Sequence, residues 1–135
     1  MDFKLCRTTN LDLVRGLHTE VMPADSPHLC IKDGSILWLA KTGESIAGYC
    51  SAIETDSCVF LNSAGVLKYY RGRGLHRRLI RVRAAYAKRA GKPCITYTVV
   101  GNTASANNLI REGFLTYEPS YAWVGRGVNY WMKGR

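Results

Sequence analysis

The sequence predicts an α/β domain, with six to seven strands and about four helices in the order βαα-βββ-αβ-αββ. Three observations carry that order. An apolar run, Cys58 to Val66, enters the tight turn Arg71-Gly72-Arg73-Gly74, and a long helical pattern, Leu75 to Ala90, leaves it. Upstream, Ile36 to Lys41 and Ser45 to Glu54 are two strand-like runs joined by Thr42-Gly43-Glu44 as a hairpin. Downstream, a β-branched run from Cys94 to Val100 precedes a short helix from Thr103 to Glu112.

In chain order, Phe3 to Cys6 reads as a short strand. Thr9 or Asn10 can cap a helix over Leu11 to Val21, whose apolar face is Leu11, Val14, Leu17 and Val21; Pro23 ends it. Ser26-Pro27 predicts a short second helix through Leu29 and Ile31, with proline at its first position. Along Leu75 to Ala90, Leu75, Leu79, Val82, Tyr86 and Ala90 form a stripe that packs on a sheet, and Gly91 and Pro93 stop the helix. The blurred period of Cys94 to Val100 predicts burial on both faces. Phe114 to Tyr117 and Tyr121 to Val124 are expected to be extended, as one strand interrupted around Pro119. Gly125-Arg126-Gly127 turns, and Val128 to Lys133 is the last strand.

At 135 residues the chain is expected to be one domain, 1–135, with an ordinary 47% hydrophobic content. No apolar run reaches the length of a membrane span, and Met1-Asp2-Phe3-Lys4 lacks a signal-peptide pattern. Five widely spaced cysteines without a Cys-x-x-Cys read as reduced thiols and not as a metal or redox centre. The expected location is the cytoplasm and the expected state a monomer or homodimer. Net charge is +9, and every charged residue between Asp56 and Glu112 is basic. That asymmetry suits a polyanionic ligand better than a solvated helix face, where signs usually mix. A nucleic-acid role ranks last: the basic helix carries no recognised binding motif and no interleaved aromatics.

The turn itself reads as an anion cradle. Its two glycines let backbone approach a ligand, and unpaired amides open the helix that follows. Gly74-Leu75-His76 lacks the Gly-Lys-Ser/Thr ending of a Walker loop. Arg77 stands where a dinucleotide fingerprint needs its third glycine, and Cys94-Ile95-Thr96 where it needs an acid.

The stretch resembles instead the coenzyme A loop of the GNAT superfamily (GCN5-related N-acetyltransferases), Arg/Gln-x-x-Gly-x-Gly/Ala. Arg71 and Gly74 match it, while His76 departs from the family's Gly or Ala. Asn102 followed by Gly113-Phe114 matches a second family segment. The segment Val100-Gly101-Asn102 is also similar to acetyltransferase-like proteins of tailed phages. The resemblance implies a mixed, mostly antiparallel sheet with a central, splayed parallel pair. It implies acetyl-CoA as cofactor and an unidentified amine as acceptor, acetylated by direct attack.

It further implies that Val66, Leu67, Lys68 and the turn from Arg71 through Gly72, Arg73, Gly74, Leu75 and His76 to Arg77 contact the cofactor, with Asn102 and Asn107 near it. The Val66 amide is the implied oxyanion donor, and Gly65 is expected to allow a bulge at the splay. The family's usual acid is a tyrosine at the place held here by Leu109, so Tyr97, Tyr117 or Tyr121 must substitute or the thiolate leave unaided. Glu54 stands as candidate base, with Glu20, Asp56, Glu118, His28 and a water relay left open. A catalytically weak binding module is the rival reading.

Overall fold

The computed structural model describes residues 1–134. Twelve short segments make up the fold: β1 (Lys4–Thr8), α1 (Leu11–Val21), α2 (Pro27–Cys30), β2 (Ile36–Thr42), β3 (Ser45–Glu54), β4 (Val59–Val66), a 3-10 turn (Lys68–Tyr70), α3 (Leu75–Arg89), β5 (Cys94–Val99), α4 (Thr103–Arg111), β6 (Leu115–Tyr117) and β7 (Val128–Lys133). The strands form one seven-stranded sheet in the order β1-β2-β3-β4-β5-β7-β6. Every neighbouring pair is antiparallel except β4 with β5, which run parallel.

Local chemistry fixes the helix ends. The Asn10 side chain accepts from the Leu13 amide at 3.1 Å to start α1, and the Asn102 side chain accepts from the Ser105 amide at 3.2 Å to start α4. Proline at the first position opens α2. The apolar stripe of α3, with Leu75, Leu79, Ile80, Ala84 and Ala87 buried, packs on one face of the sheet against Trp38, Cys50, Leu61 and Cys94. On the other face Val14 of α1 meets Ile31, Leu37, Leu39 and Tyr49. Among the described residues no helix is long and apolar enough to cross a membrane.

Three local expectations change. Residues 121–124 are not a strand: Trp123 turns inward onto Phe60, Tyr97 and Tyr130 at centroid distances of 5.1 to 5.8 Å. The Tyr130 hydroxyl then takes up the loop backbone, accepting from Val124 N at 3.0 Å and donating to Gly125 O at 3.3 Å. Strand β5 is buried on one face only. Cys94, Thr96 and Thr98 lie inside, while Tyr97 and Val99 are 38% and 59% exposed. Its two inner threonines are satisfied, Thr96 Oγ1 donating to Leu61 O at 3.0 Å and Thr98 Oγ1 accepting from Trp131 Nε1 at 2.9 Å. The irregularity of the β3–β4 ladder falls between Ser51 and Ala52 and not at Gly65. Gly65 is small for another reason: a Cβ there would lie 2.5 Å from the Tyr49 hydroxyl.

Candidate active site

Strands β4 and β5 pair only at Val59–Cys94 and Phe60–Ile95; beyond these residues no ladder bonds join them. A cavity of about 440 Å³ fills the resulting gap. Leu109, Asn108 and His76 line it from the α3/α4 side, and His18, Met22 and Asp25 from the α1 side. The wall is braced at the β3–β4 irregularity. There the buried Arg83 donates to Ser51 O at 3.2 Å and Ser63 O at 3.3 Å, and Ser51 Oγ donates to Asn62 Oδ1 at 2.7 Å.

The register decides which backbone groups face this gap. Leu67 N donates to Ala47 O at 2.9 Å, and Val66 stands opposite Gly48. In an antiparallel ladder bonded and non-bonded pairs alternate, so Val66 is a non-bonded position whose amide and carbonyl point away from β3, toward β5. The Val66 carbonyl accepts from Arg71 Nε at 3.2 Å, leaving its amide facing the gap. The same alternation corrects the reading of Leu67, whose amide is spent in the sheet.

The chain then makes the 3-10 turn and passes Gly72 and Gly74 at φ of 76° and 77°, the left-handed region where glycine is at ease. A Cβ at either would meet nothing within 4 Å, so the space outside the turn is open. No side chain caps α3 at Gly74, which leaves its first-turn amides to the gap's mouth. Lys68, Arg71 and Arg73 are exposed around it. Partial desolvation, then the charges of Arg83 and Arg71, hold the His76 imidazole below its ordinary pKa.

Other expected contacts fall elsewhere. Arg77 is tied to the buried Glu112, its Nε donating to Oε2 at 2.9 Å, while Arg81 Nε donates to Oε1 at 2.9 Å. Those hydrogen bonds, Arg81's foremost, hold the Glu112 carboxyl below the usual carboxylate range against the opposing effect of burial. Part of the acid-free basic segment is therefore structural. On α4, Ser105, Asn108 and Leu109 line the gap at helical spacing, but Asn107 is exposed on the outer face; Asn102 also lines it, with its side-chain oxygen engaged in the cap.

Of the candidate acids and bases, only Tyr97 reaches the cavity, at whose wall it stacks on Phe60 at 6.3 Å. Tyr117 lies on β6, two strands beyond β5 and so about 10 Å away. Its ring packs on Tyr130 at 6.2 Å, and burial pushes its phenol pKa up. Glu54 pairs with Val59 at the far end of β4, about 23 Å along the strand from Val66. It is held there by Lys92 Nζ at 2.7 Å and by the Tyr86 hydroxyl, and these hydrogen bonds lower its pKa. His28 is exposed and Leu109 is buried at the cavity wall.

The site also holds a cluster that the sequence reading passed over. His18 is 2% exposed. Its Nδ1 lies 2.6 Å from the Tyr49 hydroxyl and 3.2 Å from Ser63 Oγ, and its Nε2 lies 3.2 Å from Asp25 Oδ2. The Asp25 carboxylate can only accept, so the neutral imidazole carries its proton on Nε2 and Nδ1 accepts from the Tyr49 hydroxyl, whose pKa burial drives upward. The Cys30 thiol donates to the same carboxylate at 3.9 Å. Desolvation, then Asp25, raise the thiol pKa. The three groups thus form one hydrogen-bonded chain. One signal was present in the sequence: His18 stands four residues after Val14, inside the apolar stripe of α1.

Comparison with known proteins adds the following. A family model described as the Acetyltransferase (GNAT) family matches residues 6–114. No curated protein matches the chain. Among solved structures, an IAA acetyltransferase from Bacillus cereus superposes with a TM-score of 0.78 at 15% identity, over 97% of this chain and 98% of the other. The ribosomal-protein-S18-alanine N-acetyltransferase from Escherichia coli gives 0.77 at 15% identity, over 97% and 92%. A GNAT family acetyltransferase from Elizabethkingia anophelis with acetyl-CoA bound gives 0.75 at 15% identity, over 98% of both chains.

Proposed function

The chain belongs to the acetyltransferase (GNAT) family, and from that premise we propose that it moves an acetyl group from acetyl-CoA to a primary amine by direct attack. One observation carries the reading: the β4–β5 gap has the Val66 amide facing into it and, at its foot, an open two-glycine turn leading into an uncapped helix. The fit to the cofactor is testable on these residues. A diphosphate needs convergent donors with no side chain in the way. The amides that follow Gly72 and Gly74 offer them, with Lys68, Arg71 and Arg73 adding charge. An extended arm needs a strand edge with free groups, which the unpaired side of β4 offers.

Bound there, acetyl-CoA supplies a thioester carbon activated toward an amine. Val66 N–H donates to the carbonyl oxygen as negative charge grows on it. The cavity opens on the α1 side for the acceptor, past Met22 and Asp25. Leu109 faces the gap without a proton to give; of the expected acids, Tyr97 lines the gap and would supply one to a departing thiolate. Acceptors within this reading are small amines, lysines and protein N-termini.

The test is free-thiol release from acetyl-CoA with a panel of amines and peptides, and mass spectrometry of the acceptor for an added acetyl group. An acetylated acceptor supports transfer. Bound coenzyme A without transfer to any acceptor would instead make the chain a binding module.

A further inference from the structure

We propose that Ser63, His18 and Asp25 form a proton relay that deprotonates the acceptor's ammonium on the α1 side of the gap, with Tyr49 holding the relay's tautomer. The inference rests on the acetyl-transfer reading of the same cavity.

The acceptor must arrive as an ammonium at neutral pH and lose a proton before or as its nitrogen attacks. The carboxylates expected for this work are absent from both strands of the gap, and Glu54 sits at the far end of β4. Ser63 and His18 both line the cavity, and Ser63 Oγ lies 3.2 Å from Nδ1. Behind the imidazole, Nε2 lies 3.2 Å from the Asp25 carboxylate, whose side chain is 42% exposed. The chain therefore runs from the gap to solvent through a ring that is itself buried. Every link has its partner, as a relay in a low-dielectric site requires.

The transfer balances in three hops. The Tyr49 hydroxyl turns off Nδ1, and the ammonium N–H proton passes to Ser63 Oγ as the Ser63 hydroxyl proton passes to the freed Nδ1 lone pair. The ring becomes an imidazolium, stabilised by Asp25. The imidazolium then returns its Nδ1 proton through Ser63 Oγ to water in the gap, so Nδ1 is free for the next turnover and Nε2 keeps its proton toward Asp25. Ser63 is the group that touches the acceptor; His18 and Asp25 act through it. Tyr49, donating from β3 at 2.6 Å, keeps Nδ1 unprotonated at rest. The other charged or titratable groups near the ring are Cys30 of α2, beside Asp25, and Arg83 of α3, bonded to the Ser63 carbonyl at 3.3 Å from across β4. No carboxylate other than Asp25 bonds the ring among the described residues.

Two measurements test this. The first needs no turnover: long-range ¹H–¹⁵N spectra of the free protein, with the three histidines (His18, His28 and His76) assigned by substitution. The relay requires His18 with its proton on Nε2 and none on Nδ1, and Tyr49→Phe should disturb that preference. A resting Nδ1–H tautomer overturns the proposal. The second is the pH profile of kcat/KM for the acceptor in wild type, Ser63→Ala, His18→Gln and Asp25→Asn, the last at a side chain 42% exposed. In each variant kcat should fall by about 10²–10⁴-fold, with acetyl-CoA affinity unchanged by calorimetry. The rate should then climb with pH as the free amine accumulates, losing the wild-type plateau. Wild-type rates and profile in Asp25→Asn and Ser63→Ala overturn the relay while leaving acetyl transfer intact. A wild type that acetylates no amine overturns the transfer reading and the relay with it.

Discussion

Replacing Gly65 by alanine should destabilise the protein and disturb the site at once. The new Cβ would lie 2.5 Å from the Tyr49 hydroxyl, 2.6 Å from Cε1 and 2.7 Å from Cζ. These are ring atoms of a side chain with no exposed surface, so the ring cannot swing into solvent. Overpacking of this kind costs about 1–3 kcal/mol. A chain of 135 residues, at about 2.1 cal/mol/K of unfolding entropy per residue, loses roughly 3.5 °C per kcal/mol. The melting temperature should therefore drop by about 4–11 °C in calorimetry. Tyr49→Phe will not relieve the strain, because Cε1 and Cζ remain. Tyr49→Leu removes the ring, so Gly65→Ala should cost less in that background than alone, a clear non-additivity. A Gly65→Ala melting point within roughly 1 °C of wild type, or equal costs in both backgrounds, would refute the packing argument.

Glu112→Gln should remove the anchor of Arg77 and Arg81. Because the two arginines are 38% and 59% exposed, the loss at neutral pH should be modest, about 1–2 kcal/mol. The Glu112 pKa is lowered in the folded state, so its contribution is present above the ordinary carboxylate range and is lost as pH falls through the folded value. Denaturant titrations of wild type and variant should thus keep a constant gap above the ordinary carboxylate range and close it progressively as pH falls below that range. Leu109→Tyr should raise kcat for thiol release at least about tenfold with little change in the acetyl-CoA KM, since an added acid acts mainly in the transition state. Fast wild-type turnover that falls in this variant would place the acid elsewhere, with Tyr97→Phe the next substitution to assay. Gly74→Glu, placing a charged side chain at a φ of 77°, should weaken coenzyme A binding in calorimetry. Wild-type affinity should fall from about 0.01 M to about 1 M salt, as the screening length shrinks from about 30 to about 3 Å.

The parts of the fold that were legible in the sequence are those set by local chemistry. The stripe of α3, the caps at Asn10 and Asn102, the hairpin at Gly43 and the turn through Gly72 and Gly74 each depend on neighbours a few residues away. What was not legible depends on partners far along the chain. His18 meets Tyr49 across 31 residues and Ser63 across 45, so its partners could not be read from the α1 stripe. Arg77 meets Glu112 across 35 residues, which ties the side chain of an expected cofactor contact into the fold. Residues 121–124 have strand-like composition, but burying Trp123 against Phe60 and Tyr130 outweighed the extended form. Gly65 reads as the place of a bulge because its neighbour across the ladder, Tyr49, lies on another strand.

The central claim is that the gap beyond Phe60 and Ile95 receives the cofactor, with the Val66 amide facing it. The most direct test is the ¹H–¹⁵N spectrum of the labelled protein titrated with acetyl-CoA. The account predicts that the amides of Val66, Gly72, Gly74 and Leu75 shift together and saturate, while those of Val59 and Cys94, at the paired base of the two strands, stay nearly still. Saturable binding that leaves Val66 and the glycine turn unmoved, with the shifts gathered at another surface, would contradict it.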